Sequence, residues 1–224
     1  MFQPMDSTGV VIYKVGDSPR VIGGSCGAYL ARHVFVTASR CVPEGAEAFV
    51  AIPGQSERNV VNIARHDTSD IAVLIAERVR GETMASEIFL PKRDALLFGG
   101  DFLAFGYPDG PLRDDLVGRL IKGHFQRFFD YDKPLGGSYF AGEMSVAVPA
   151  GMSGAPVSWR SWPQELIGVV TTNQEVPAIT DSAFAFGDNG RSDRVTNVPA
   201  ISYGTVAMLA GLEDWLAETC AAWL

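Results

Sequence analysis

Cysteine is scarce, with three in 224 residues, and an odd count of that size builds no disulfide scaffold. Basic residues are outnumbered, 18 Lys+Arg against 26 Asp+Glu, for a formal charge of -8. A nucleic-acid binder needs a basic face that displaces counterions, and nothing in these totals supplies one. Long apolar runs are missing too: the longest stretch without a charged residue, Val195 to Leu212, is broken by Asn197, Pro199, Ser202 and Gly204, so no membrane span is expected. The opening Met-Phe-Gln-Pro-Met-Asp lacks the basic start and apolar core of a secretory signal, which predicts a cytoplasmic chain or a processed, secreted mature form. Histidine is equally rare. His33, His66 and His124 are the whole supply of side chains that ordinarily titrate near neutral pH.

What remains is the composition of a globular protein, 47% hydrophobic and 20% charged. Short runs rich in β-branched and aromatic residues recur along it: Val10 to Val15, Ala28 to Ala38, Ala48 to Ile52, Val60 to Ala64, Ile71 to Ala76, Phe102 to Phe105, Leu116 to Phe125, Tyr139 to Val148, Val157 to Trp159 and Leu166 to Thr172. Turn clusters such as Pro53-Gly54, Tyr107-Pro108-Asp109-Gly110 and Gly136-Gly137 separate them, a pattern that predicts an all-β sandwich or barrel. Only the C-terminus changes period. There Leu209, Leu212, Leu216, Cys220 and Trp223 recur at three- and four-residue spacing, which predicts one amphipathic helix.

The segment Gly151-Met152-Ser153-Gly154-Ala155-Pro156 sets a serine in a glycine-rich turn between two predicted strands. Glycines beside a nucleophile have a physical purpose, because backbone N–H groups must converge on a developing oxyanion and a Cβ would obstruct them. By itself the hexapeptide is equally compatible with a plain turn. Upstream lie Val36-Thr37-Ala38-Ser39-Arg40-Cys41 and Ser69-Asp70-Ile71-Ala72-Val73-Leu74, and the three motifs in this order resemble the trypsin and chymotrypsin family of serine proteases. Ser25-Cys26-Gly27, Phe105-Gly106-Tyr107-Pro108, Leu166 to Thr171 and a final helix with Trp215 extend the resemblance over nearly the whole chain.

The resemblance implies two antiparallel six-stranded β-barrels with the active site between them: residues 1–85 as the first barrel, 86–100 as a connection, 101–206 as the second barrel and 207–224 as the helix. It implies Ser153 as nucleophile, Asp70 as orienting acid and the N–H groups of Gly151 and Ser153 as oxyanion hole. Counting back six residues from Ser153 gives Ala147 as the floor of the specificity pocket, suited to a small or apolar side chain. Thr171, Thr172 and Asn173 match the strand edge that pairs with a bound peptide, and Thr171 matches a hydroxyl that supports the acid. Cys26 and Cys41 match a disulfide that flanks the histidine loop, expected to bond in an oxidising compartment and to stay as neighbouring thiols in the cytoplasm. Met152 stands where many members carry an aspartate for activation by a new N-terminus.

One departure dominates: Arg40 occupies the position of the catalytic histidine. The base must take a proton from the serine and return it to the leaving amine, which a guanidinium with a pKa above about 12 and no acceptor lone pair cannot do. Loss of a triad member leaves about 10³ to 10⁴-fold catalysis over water. Arg40 is then either a remnant paired with Asp70 or a fixed positive charge for a ligand carboxylate. The expectation is a peptide- or protein-binding pseudoprotease, inactive or strongly impaired. The alternatives are an active endopeptidase with a base from His66 or a partner chain, and a purely regulatory scaffold. No metal cluster, phosphate loop or dinucleotide fingerprint implies a cofactor.

Overall fold

A computed structural model describes residues 8–29, 31–79, 95–108, 117–133, 137–177, 184–186, 192–194 and 200–223. Strands β1 (Thr8–Lys14), β2 (Val21–Tyr29), β3 (Ala31–Ala38), β4 (Glu47–Ala51), β5 (Arg58–Arg65) and β6 (Ile71–Ala76) close one barrel in the order β1-β2-β3-β6-β5-β4. A second barrel, of order β10-β11-β14-β9-β8-β7, is formed by β7 (Asp101–Gly106), β8 (Arg119–Asp132), β9 (Ser138–Met144), β10 (Pro156–Trp159), β11 (Leu166–Pro177) and β14 (Ala200–Met208). The strand pairings of the described residues in both barrels are antiparallel, as expected for consecutive short strands joined by tight turns. A two-stranded sheet of β12 (Phe184–Phe186) and β13 (Ser192–Arg194) stands apart from both.

The apolar runs are continuous rather than alternating because both faces of several strands are covered. Leu74 and Ala76 of β6 join Phe35, Val11, Val50 and Cys26 inside the first barrel. Their neighbours Ile71, Val73 and Ile75 point to the opposite face, with Val34 and Val36 of β3. That outer face meets Tyr139, Ala141, Val169 and Ala207 of the second barrel, and Leu209, Leu216 and Cys220 from the chain end. Helix α1 (Glu213–Ala221) carries Leu216 and Cys220 on its buried stripe and so packs where the two barrels meet. Each fully buried side chain of this kind contributes about 1.5–3 kcal/mol relative to exposure. The second barrel has its own interior, built on Phe102, Phe125, Met144, Ile167, Val206 and Met208.

The expected run from Ala28 to Ala38 is two strands, not one: β2 ends at Tyr29 and β3 starts at Ala31. Gly23, Gly24 and Gly27 had hidden β2, since glycine weakens strand propensity, yet here the backbone needs the room. A Cβ on Gly24 would collide with Ser153 O and Cys41 Sγ, and one on Gly27 with Pro156. Strand β8 extends to Asp132, seven residues past its expected end, and changes partner on the way. Residues up to His124 pair with β7, and those from Phe125 onward pair with β9. Most of the expected connection at 86–100 lies outside the described residues.

Candidate functional site

Register brings the first two site residues together. Antiparallel pairing of Ala38 with Ile71 sets the residues leaving β3 beside those entering β6, and Ser39 N donates to Asp70 O at 3.2 Å. The chain then turns through a short 3-10 segment, Ser39–Cys41, which turns the Arg40 side chain back onto the carboxylate. Arg40 Nε donates to Asp70 Oδ2 at 2.8 Å and Nη2 donates to the same oxygen at 2.5 Å, while Arg40 N reaches Oδ1 at 3.4 Å. The Asp70 side chain is 10% exposed and that of Arg40 44%. Burial works against the guanidinium's charge, but the adjacent carboxylate overrides it and holds Arg40 above its ordinary pKa.

The serine comes from the second barrel. Between β9 and β10 the chain crosses the turn Pro149 to Met152, closed by Met152 N donating to Pro149 O at 3.4 Å, with Gly151 at φ 84°. Ser153 O accepts from Ser25 N of β2 at 2.7 Å and from Cys41 Sγ at 3.4 Å, so the loop is fastened to the first barrel. Gly154, at φ 82°, donates its N–H to Val170 O at 2.7 Å. A Cβ there would overlap Ser25 O and Thr37 Oγ1. The Ser153 hydroxyl donates to Thr171 O at 2.9 Å. Among the described residues, the N–H groups of Gly151 and Ser153 have no hydrogen-bond partner.

Arg40 and Ser153 line one cleft of about 160 Å³ with Val148, Pro149, Ala150, Val170, Thr171, Thr172 and Asn173. Two expectations need correction. Ala147 is exposed and does not line this cleft; its neighbour Val148 does. The cause is Asn173, whose Oδ1 accepts from Val148 N and whose Nδ2 donates to Val148 O, both at 2.8 Å. This clamp fixes Val148 against β11 as a strand partner would be fixed, and Asn173 therefore joins the cleft's two second-barrel walls. The Thr171 hydroxyl does not bond to Asp70 but donates to Thr205 O at 3.1 Å, because a register irregularity between Val170 and Asn173 turns it toward β14. Tyr139 Oη donates to Thr171 Oγ1 at 3.4 Å, a contribution from β9 that no sequence motif marked.

Of the two states expected for the cysteines, the structure has the unbonded one: Cys26 and Cys41 are free, buried thiols. Cys41 Sγ is directed at Ser153 O, and burial pushes its pKa up to about 11. Burial raises the Cys26 thiol further still, with the neighbouring Cys41 adding to the effect.

None of the three histidines lines the cleft. His66 lies edge-on against Trp215 of α1, ring centroids 5.0 Å apart, and its Nδ1 accepts the backbone N–H groups of Ser69 at 3.0 Å and Thr68 at 3.3 Å. Those bonds fix the neutral ring, and burial lowers its pKa below the ordinary value. His33 Nε2 lies 2.9 Å from Trp223 O at the chain's end. His124 is exposed on β8.

No family model and no curated protein sequence matches this chain. Solved structures do. The active form of the Rv3671c protease from M. tuberculosis superposes with a TM-score of 0.66 at 14% identity, over 96% of this chain and 81% of that one. Its inactive form gives 0.62 at 14% identity, over 96% and 89%. The HtrA-type protease AlgW with a decapeptide gives 0.64 at 16% identity, over 98% of this chain but 65% of the AlgW chain. This chain thus spans less than two thirds of the HtrA-type neighbour. Two closed six-stranded antiparallel barrels, a C-terminal helix and these neighbours identify the fold as chymotrypsin-like.

Proposed function

We propose that this chain is a homologue of trypsin-like serine endopeptidases whose inter-barrel cleft binds a peptide or protein segment without turning it over. In this reading Ser153 keeps the nucleophile's place, Asp70 the acid's, and the N–H groups of Gly151 and Ser153 the oxyanion hole's, while Arg40 fills the place of the base. The observation that carries it is the pairing of Arg40 with Asp70 through Nε and Nη2. The acid that would orient an imidazole is already satisfied by a cation that accepts no proton. The Ser153 hydroxyl donates to a carbonyl instead of to a base, and no histidine lines the cleft.

Peptide binding is supported by the open edge of β11. Strand β10 is four residues long and pairs no further along β11 than Val169, so among the described residues the edge that includes Thr172 and Asn173 has no strand partner on that side and can be extended by an added strand. The test compares the unmodified chain, Arg40→His, and Arg40→His with Ser153→Ala on a fluorogenic peptide mixture and casein, each folded by circular dichroism. Cleavage by Arg40→His alone is the expected result. Ser153-dependent cleavage by the unmodified chain would overturn the reading.

A further inference from the structure

We infer that the cleft is a receptor for the free C-terminal carboxylate of a peptide, with Arg40 as the charged part of the carboxylate site. This deepens the binding reading above and rests on it. A guanidinium has five N–H donors. Asp70 takes bonds from Nε and Nη2, and among the described residues Nη1 has no partner, although the side chain is nearly half exposed on the cleft wall. Across from it, Ser153 lines the cleft on the side of the other barrel, and among the described residues its N–H and that of Gly151, two residues earlier, are likewise unpartnered. Donors are therefore in excess on both sides of the cleft, and among the side chains that line it Arg40 is the one that bears charge.

An internal peptide carbonyl brings one uncharged oxygen to such a site. A terminal carboxylate brings two oxygens sharing a full negative charge, one for the paired backbone N–H groups and one for Nη1, through shorter and stronger bonds than a neutral acceptor makes. The rest of the cleft fits a peptide better than a small inorganic anion. Val148, Pro149, Ala150 and Val170 line it beside the polar Thr171, Thr172 and Asn173, and the Thr172 and Asn173 edge offers main-chain pairing. At about 160 Å³ the cleft is well above the size needed for a single water and has room for a carboxylate and one short side chain. The Asn173 clamp on Val148 limits how far that space can open. A peptide ending in a small residue is the ligand this arrangement fits.

The experiment uses N-terminally labelled peptide pools ending in Ala, Val or Ser, each made as free acid and as C-terminal amide, with a third amidated pool carrying an internal Asp. Binding to the unmodified chain is read by fluorescence anisotropy and by NMR shifts of cleft amides. Free acids are expected to bind about tenfold or more tighter than amides, the size of effect a charge-assisted bond gives. Arg40→Met combined with Asp70→Asn, which leaves no buried charge unpaired, should abolish the difference, and His124→Gln, an exposed position on β8 outside the cleft lining, should retain it. Equal binding of acid and amide would overturn the carboxylate site while leaving the peptide cleft intact. Binding of the internal-Asp amide as tightly as the free acid would overturn terminal recognition. If no pool binds, the cleft reading itself fails.

Discussion

On the first-barrel wall of the cleft Arg40 and Asp70 bind each other and only Nη1 is left over, whereas on the second-barrel side, among the described residues, the Gly151 and Ser153 N–H groups and the Thr172 to Asn173 strand edge all stay open. The contrast follows from how each wall is built. Arg40 and Asp70 come from adjacent strands in one register and form a side-chain pair at no cost to the backbone. Ser153 instead sits in a turn whose shape is set by left-handed glycines and by bonds to Ser25 and Cys41 across the barrel seam. One wall can change its chemistry by a single side chain, while the other is locked into a backbone conformation. The glycine turn around Ser153 can therefore persist whichever side chain the first wall carries at position 40.

The most damaging perturbation should therefore fall on the second wall's backbone. Gly154→Ala puts a Cβ into Ser25 O and Thr37 Oγ1 at a positive φ, and a loss of about 3–5 kcal/mol is expected in urea denaturation. On the first wall, Arg40→Ala leaves the buried Asp70 carboxylate without its cation. Partial exposure of the arginine moderates the loss to about 1–3 kcal/mol, and adding Asp70→Asn should recover much of it. Ser153→Ala, which removes one hydroxyl bond and no backbone contact, should cost no more than about 1 kcal/mol. Were Ser153→Ala to cost as much as Gly154→Ala, the distinction between side-chain and backbone control would fail.

The smallest effect is expected at His66, outside both walls. Its folded pKa lies below the unfolded value, so the unfolded chain takes up the proton first as pH falls. Its contribution is therefore complete above about pH 6.5 and is lost as pH drops through that value toward the folded pKa. A protonated ring also cannot accept the Ser69 N–H. Stability measured from pH 8 to pH 5 should show this decline, and His66→Gln should flatten it without altering peptide binding in the cleft.

How much of this was legible beforehand depended on the range of the interaction concerned. The strands around Ile71 to Ala76 and Phe102 to Phe105 could be read because burial selects apolar and β-branched residues locally. The helix could be read because Leu216 and Cys220 keep its period. β2 was half concealed, since Gly23, Gly24 and Gly27 serve close approaches to Cys41, Ser153 and Pro156 that lie far away in the chain. The pocket wall was misplaced from Val148 to Ala147 for a similar reason: a side-chain clamp from a residue 25 positions away decides which way that segment faces.

Local order alone therefore determined that this is a strand-rich chain with a terminal helix, an arginine before Cys41 and a serine in a glycine turn. Those properties depend on residue type and near spacing, which are written in the chain itself. Tertiary structure alone decided that Arg40 closes on Asp70, that Cys41 addresses Ser153 O instead of Cys26, that Thr171 turns to Thr205, and that Asn173 sets the depth of the cleft. Each depends on a hydrogen bond or ion pair between distant segments, and such a bond has direction and length only after the barrels have closed.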